Sequence, residues 1–351
     1  MMSFPGRPLC AADATTSGTA TLSHPEGLAP LGKRFTASLH FAGNIPAPDP
    51  DALTLPDTPT HYYNFAVAFL KANRQSMDMY WADLDAIPAL IRSEMSLYPG
   101  LRITHHRDPA AFVEYVRERC QTGEPHREQG LIELSPKEGH CVSIDLRIDA
   151  GEPTVIVIES STLDAKGPAM LLLRLSTALT NGMACVARNG LSKHLMFFET
   201  RAQQSAVDCA IFSLCACKPM YRSAATIASL HARLRAGEFS KMLEKGYVAS
   251  DEADLLLPPS LMQHTQSSTR LLDHARRRIE HDPAQAHAIG KLIRRQKGLV
   301  FARDDRTYSV SIEMARIKMA GRALPPPAED PALLAPPRRD DFMSSTESTE
   351  S

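Results

Sequence analysis

Between residues 140 and 182 the sequence changes period twice, and that change constrains what the chain can become. "HCVSIDLRID" alternates, with Val142, Ile144, Leu146 and Ile148 at every second position, the pattern of one face of a strand. "PTVIVIES" follows as a short β-branched run, suited to a strand buried on both faces. "GPAMLLLRLSTALTN" is then apolar and long enough for a helix that covers such a sheet. A strand pair with a helical layer over it is the minimum architecture that satisfies this order.

The flanking segments extend the pattern. "HYYNFAVAFLKANRQ" reads as a helix. "SMDMYWADLDAIPALIRSEM" reads as a second, with Trp81, Leu84, Ile87 and Ile91 at helical spacing and Pro88 as a kink point. "HLMFFET" is a third strand, and "CAIFSLCACK" a helix beginning at or near Cys209. Further helices are expected over 223–246 and 268–296. Helices, then strands interleaved with helices, then helices again give an α+β (α/β layered) domain. Residues 1–58 and 323–351 are rich in Ser, Thr, Pro and Ala without sustained periodicity, and are expected to be disordered.

Composition narrows the function classes. The chain is 43% apolar and 23% charged with a formal net charge of -1, so overall charge gives no reason to expect a nucleic-acid partner. The most apolar stretch is interrupted by Arg174. No integral membrane segment and no Sec-type signal peptide are expected, and Met2 stands where N-myristoylation needs glycine. Seven cysteines, odd in number and irregularly spaced, read as reduced thiols, not a disulfide framework. Charge is lopsided only over 263–322, where 13 Lys and Arg face 6 Asp and Glu. The residues alone leave two readings open: a solvated helix face, or a pocket in which guanidinium groups bind a polyanion.

Three of the cysteines fall in "QQSAVDCAIFSLCACK". Cys215 and Cys217 lie within the apolar helix and read as packing residues. Their spacing does not suit zinc, because side chains two apart on a helix diverge and no further ligands follow. Cys209 sits where a loop meets that helix, and a helix N-terminus favours a thiolate. His140 opens one strand and Glu159 ends the next. On neighbouring strands the carboxylate would accept the second imidazole N–H and fix its tautomer. The competing reading, Cys209 as a small buried hydrophobe, is the commoner one for such a residue taken alone.

With these residues in hand, the chain resembles the YopJ-type effector acetyltransferases of bacterial type III secretion, whose core is similar to cysteine proteases of ubiquitin-like proteins. The resemblance rests on "GHCVSIDLR", "VIVIESSTLDAKGPAMLLLR", "QQSAVDCAIFSLCACK" and "MQHTQSSTRL", in that order, with "LDAIPALIRSEMSLYPGL" ahead of them. It covers about 80–275. Ala210 stands where the family often has glycine, and Ser267, Ser268 and Thr269 where members often have lysine.

The resemblance implies His140 as general base, Glu159 as its orienting carboxylate, Cys209 as nucleophile and Gln203 as an oxyanion-hole donor. It implies acetyl-CoA as acetyl donor and inositol hexakisphosphate as activator. Arg270, Arg294, Arg295 and Lys297 are then candidate polyanion ligands, with Arg102, His105, His106 and Arg107 as a second wall. Lys218 and Arg222 are candidates for the CoA phosphates. The implied organisation is a secretion and chaperone-binding segment (1–58), a catalytic core with leading helices (59–262), a basic helical regulatory region (263–322) and a tail (323–351). The implied partners are a type III secretion chaperone and host signalling or immune proteins, acetylated on Ser, Thr or Lys in the host cytoplasm. Two rivals remain: a cysteine protease of ubiquitin or a ubiquitin-like modifier, which uses the same triad, and a non-catalytic adaptor.

Overall fold

A computed structural model of the chain describes residues 55–324, apart from 57, 74, 241–245 and 304–305. Residues 1–54 and 325–351, which carry most of the expected secretion segment and tail, lie outside the described residues. The chain begins with helices α1 (Pro59–Ala72) and α2 (Met77–Leu97), then strand β1 (Ile103–His106) and helix α3 (Pro109–Gln121). Strands β2 (His126–Ser135), β3 (Glu138–Asp149) and β4 (Glu152–Glu159) follow, then helices α4 (Lys166–Gly182) and α5 (Ala184–Asn189) and strand β5 (Leu195–Glu199). Next come helices α6 (Cys209–Arg222), α7 (Ala224–Arg235), α8 (Ser250–Leu256), α9 (Ser268–His281) and α10 (Ala286–Lys297). The hairpin β6 (Val300–Arg303) and β7 (Arg306–Ser309) leads into helix α11 (Ser311–Ala323).

Local chemistry sets many of these boundaries. Thr58, Ser76, Asp108 and Ser267 cap their helices by accepting a backbone N–H, and Pro59 and Pro109 occupy first-turn positions that need no donor. The long helix expected over 268–296 is two helices, because Asp282 and Pro283 interrupt it. The helix expected over 223–246 ends at Arg235. Pro88 lies inside α2 without ending it. β3 and β4 are joined through Ala150 and Gly151, at φ 52° and 76°. Positive φ at both central residues is the hairpin turn whose twist matches the strands.

The sheet runs β1-β2-β3-β4-β5, with β1 parallel to β2, β2 and β4 antiparallel to β3, and β5 parallel to β4. Each face has its own core. Val142, Ile144, Leu146, Ile148, Val155 and Val157 pack with Phe112 of α3 and with Leu171, Leu175 and Leu179 of α4. On the other face Cys141, Ile156, Ile158 and Phe198 pack with α6 and with Tyr80, Leu84 and Ile87 of α2. That second core also takes in Tyr62 and Phe65 of α1 and Ile312 and Met319 of α11. Helices from the two ends of the described chain therefore meet on the α6 side of the sheet. β1, α3, β2 and the β6–β7 hairpin were not foreseen, since "ITHH" and "VFAR" are too short for a period to show.

Candidate active site

β3 and β4 bring His140 and Glu159 to one place. Ser143 pairs with Ile158, so Glu159 falls one step further, diagonal to His140 across the ladder and on the same face. His140 Nε2 lies 2.7 Å from Glu159 Oε2. The other carboxylate oxygen accepts the Ser161 N–H at 2.7 Å, and Glu159 is fully buried. Gly167, at the start of α4, lies against the ring; a Cβ there would come within 3.1 Å of His140 Cβ. With Nε2 engaged by Glu159, the Cys209 side chain is the other group that acts on the ring.

Burial on its own would lower the His140 pKa. The Glu159 carboxylate and the Cys209 sulfur outweigh it and lift the ring to about 10. At neutral pH His140 is therefore an imidazolium beside the Glu159 carboxylate.

Cys209 is the first residue of α6, and no side chain caps that helix. The first N–H groups of a helix have no intrahelical partner, so those at Cys209–Ile211 remain to stabilise negative charge near the sulfur. Ser213 Oγ donates to Cys141 O at 3.1 Å and ties α6 to β3. Cys209 is only 1% exposed. Tyr80 of α2 lies beside it; its buried hydroxyl makes no hydrogen bond, and burial followed by the field of Cys209 raises its pKa.

Gln203 lies in the loop before α6, with its N–H on Ser160 O at 2.8 Å. Its Oε1 accepts from Ser160 Oγ at 2.7 Å and its Nε2 donates to Ser205 O at 2.6 Å. The amide is thus fixed in the loop leading to Cys209, with one N–H still available. The His-Thr-Gln block folds beneath this loop. Gln266 Oε1 accepts the N–H groups of Gln204 and Ser205 at 2.6 and 2.9 Å. His264 is buried against Ser311 Oγ at 2.9 Å, and burial holds it neutral at about 3.

The candidate anion ligands divide. The Arg270 guanidinium donates twice to Asp254, at 2.8 and 2.6 Å, and to Thr200 O and Ser250 O. These bonds tie α9 to α8 and to the loop after β5. In the expected second wall, His105 and Arg107 are held by Glu133. His106 packs against Phe112 and Tyr115, and burial brings it down to about 4; Arg102 is exposed. Lys218, by contrast, stands 4.2 Å over the Tyr98 ring with Arg222 at 5.2 Å over the same ring. The hydrogen bond from Lys218 lowers the Tyr98 phenol, with Lys318 contributing. Arg295 is exposed on the last turn of α10, and its charge and that of Lys218 both act on buried His264. Arg294 and Lys297 are exposed on the last turn of α10.

Cys217 is fully buried and Cys215 half-buried against the core, as packing residues should be. Among the described residues no His, Cys, Asp and Glu group could hold a metal, and no helix is long and apolar enough to cross a membrane.

Sequence reasoning reached His140, Glu159, Cys209 and Gln203. It gave no role to Gln266, Asp208, Arg316 or Glu199. Glu199 pairs with Glu159 across β4 and β5 and holds the following loop through the Leu163 N–H at 2.7 Å. The one available signal was that Asp208 and Gln266 fall inside matched motifs. Nothing local marks Arg316 among the cations of its region.

Comparison with known proteins bears on this geometry. The family model for the YopJ Serine/Threonine acetyltransferase matches residues 60–322. The serine/threonine-protein acetyltransferase YopJ of Yersinia pestis is 23% identical over 229 residues, 65% of this chain and 74% of that protein. The structure of AvrA delL154 with IP6 and CoA superposes with a TM-score of 0.63 at 24% identity, covering 76% of this chain and 98% of that one. HopZ1a, from Pseudomonas syringae pv. syringae, superposes in its IP6 complex with a TM-score of 0.59 at 18% identity, over 76% of this chain and 92% of that one.

Proposed function

Given that this chain belongs to the YopJ serine/threonine acetyltransferase family, we propose that it transfers an acetyl group from acetyl-CoA to a side chain of a host protein by way of acetyl-Cys209. The observation that carries the reading is the bond from His140 to buried Glu159 at 2.7 Å, with Cys209 acting on the same ring from an uncapped helix N-terminus.

The charge state suggests how the residues act. The lifted His140 pKa keeps a cation beside Cys209, and the reactive form of a cysteine nucleophile is the thiolate. The thiolate attacks the acetyl thioester. The tetrahedral oxyanion is met by the N–H groups of the first turn of α6 and by the remaining N–H of Gln203. As this intermediate collapses, His140 gives its proton to the departing CoA sulfur and becomes neutral. Acylation also removes the sulfur's negative charge, one of the two that raised the ring's pKa. The ring is then a competent base. It takes the proton of an incoming Ser or Thr hydroxyl, or a Lys amine, as that group attacks acetyl-Cys209. Collapse releases the acetylated product and restores the thiolate–imidazolium pair. Glu159 keeps the ring oriented and its cationic form stabilised throughout.

Inositol hexakisphosphate is the proposed activator, by likeness to the AvrA and HopZ1a complexes that contain IP6. Lys218, Arg222, Arg294, Arg295 and Lys297 are its candidate contacts or those of the CoA phosphates. Delivery by a type III system, aided by a chaperone, and suppression of host immune signalling complete the proposal, as the motif resemblance implies.

Incubation with labelled acetyl-CoA and inositol hexakisphosphate tests it. Label is expected on the protein and on added substrate, and is lost in Cys209→Ala. If a ubiquitin-vinyl-sulfone probe labels Cys209 while acetyl-CoA does not, the protease reading replaces this one. Host-cell phenotypes that survive Cys209→Ala would favour an adaptor.

A further inference from the structure

Asp208 directly precedes the nucleophile and occupies the N-cap position of α6. Aspartate there ordinarily caps its own helix, accepting the N–H two or three residues on. Here it makes no such bond. Its Oδ2 accepts from Gln266 Nε2 at 2.8 Å and from Ser205 Oγ. Its Oδ1 accepts from Arg316 Nη2 at 2.6 Å. Arg316 comes from α11, more than a hundred residues away, and is itself 3% exposed. It also clamps Asp83 of α2, with Nε and Nη2 each at 2.8 Å, and Asp83 accepts the Tyr62 hydroxyl of α1 at 2.8 Å. Burial alone would weaken the guanidinium's charge, but Asp83 and Asp208 hold it firmly cationic.

We infer that Arg316 is a positioning residue for the acyl-transfer step: it draws the Asp208 carboxylate away from the first turn of α6, leaving that turn's N–H groups open to the oxyanion. Gln266 works from the other side. It binds the same carboxylate and two N–H groups of the 203–208 loop, so loop and helix start are fixed as one unit. Two different consequences follow if Arg316 is removed. The Asp208 carboxylate becomes an uncompensated buried charge beside Cys209, which opposes a thiolate. It is also free to turn back and cap α6, filling the donor positions. The titratable and polar groups around Asp208 are Arg316 and the nearby Glu313 of α11, Asp83 of α2, and Ser205 and Gln266. Arg316 is the one cation among these.

This role rests on the reading of Cys209 as the acyl carrier, and the test separates the two. Arg316→Met removes the cation but leaves two buried carboxylates, which can prevent folding. The informative variant is Arg316→Met with Asp83→Asn, which neutralises the second carboxylate and leaves Asp208 alone. Two quantities are read per folded active site: kcat and KM for acetyl transfer, and the rate of Cys209 alkylation by iodoacetamide at pH 7. The inference expects kcat to fall about 10²-fold, the cost of losing an oxyanion donor, with KM within about twofold. It expects alkylation to slow about tenfold or more. Adding Asp208→Asn to that pair removes the stray charge and should return the alkylation rate to within about threefold of wild type. A loss of fold integrity alone would lower the folded fraction and leave both per-site quantities unchanged. The double variant with wild-type kcat and alkylation rate overturns the inference. Wild-type protein that transfers no acetyl group, while alkylation still falls in the variant and recovers with Asp208→Asn, overturns the acyl-transfer reading and leaves the positioning role standing.

Discussion

Glu159→Gln is the substitution that most directly tests why His140 is charged. The exchange keeps the shape of the side chain, and the amide oxygen can still accept the Ser161 N–H. What is lost is the negative charge whose oxygen lies 2.7 Å from His140 Nε2. Opposite charges with centres roughly 4 Å apart attract by about 4 kcal/mol at an effective dielectric near 20, or about three pH units. The His140 pKa, now about 10 against an ordinary 6.5, would fall by those three units to about 7. At about pH 8–8.5 the wild-type ring is an imidazolium and the variant's is largely neutral. The acetyl-transfer kcat is expected to drop about 10³-fold, corresponding to that lost attraction, and iodoacetamide alkylation of Cys209 at pH 7 about tenfold or more. A second readout carries the sign. A folded pKa raised above the unfolded value contributes stability that is complete below about 6.5 and lost as pH rises toward about 10. Wild-type Tm should therefore decline between pH 7 and 9 more than that of the variant. A folded Glu159→Gln protein with kcat and alkylation within about twofold of wild type, and the same pH slope of Tm, would refute the ion-pair reasoning.

Three further outcomes follow from the contacts around the site. Gly167→Ala places a Cβ 3.1 Å from His140 Cβ and 3.2 Å from Cγ, atoms that no rotamer change can move far; kcat should fall about tenfold while urea stability stays within about 1 kcal/mol, since alanine favours the helix. Arg270→Ala removes two hydrogen bonds from buried Asp254, leaving His274 and Arg277 as its partners. It should cost about 2 kcal/mol in a urea titration, below the full penalty of a broken buried pair, and leave the concentration of inositol hexakisphosphate for half-activation unchanged. Arg295→Glu, on the exposed end of α10, should raise that concentration about tenfold with little change in stability; an unchanged activation curve would place the polyanion away from Arg295.

The strands and helices around the catalytic motifs were legible because each carries a long, clear period. The alternation in 140–149 and the β-branched run of 153–159 mark β3 and β4, and the apolar block after them marks α4. That both strands belong to one antiparallel pair decides whether His140 and Glu159 touch, and register is a property of the folded sheet. The motif order pointed to Gln203 and Cys209, but it could not assign a polar group to Asp208. An N-cap aspartate reads from sequence as a cap. It acts otherwise here because Gln266 and Arg316 arrive from distant segments and compete for its carboxylate.

By itself, the sequence determined the element types in the core, the thiol and its candidate partners, and the segments rich in cationic residues. Those depend on periodicity and composition, which are local. The tertiary structure decided which cations are spent inside the fold. Arg270 and Arg316, counted alike in the basic stretch, are bound to buried aspartates, whereas Lys218 and Arg222 stack on one Tyr98 ring and Arg295 is exposed. The physical reason is that a charge's role is set by what lies within a few ångströms of it, and packing alone chooses those neighbours.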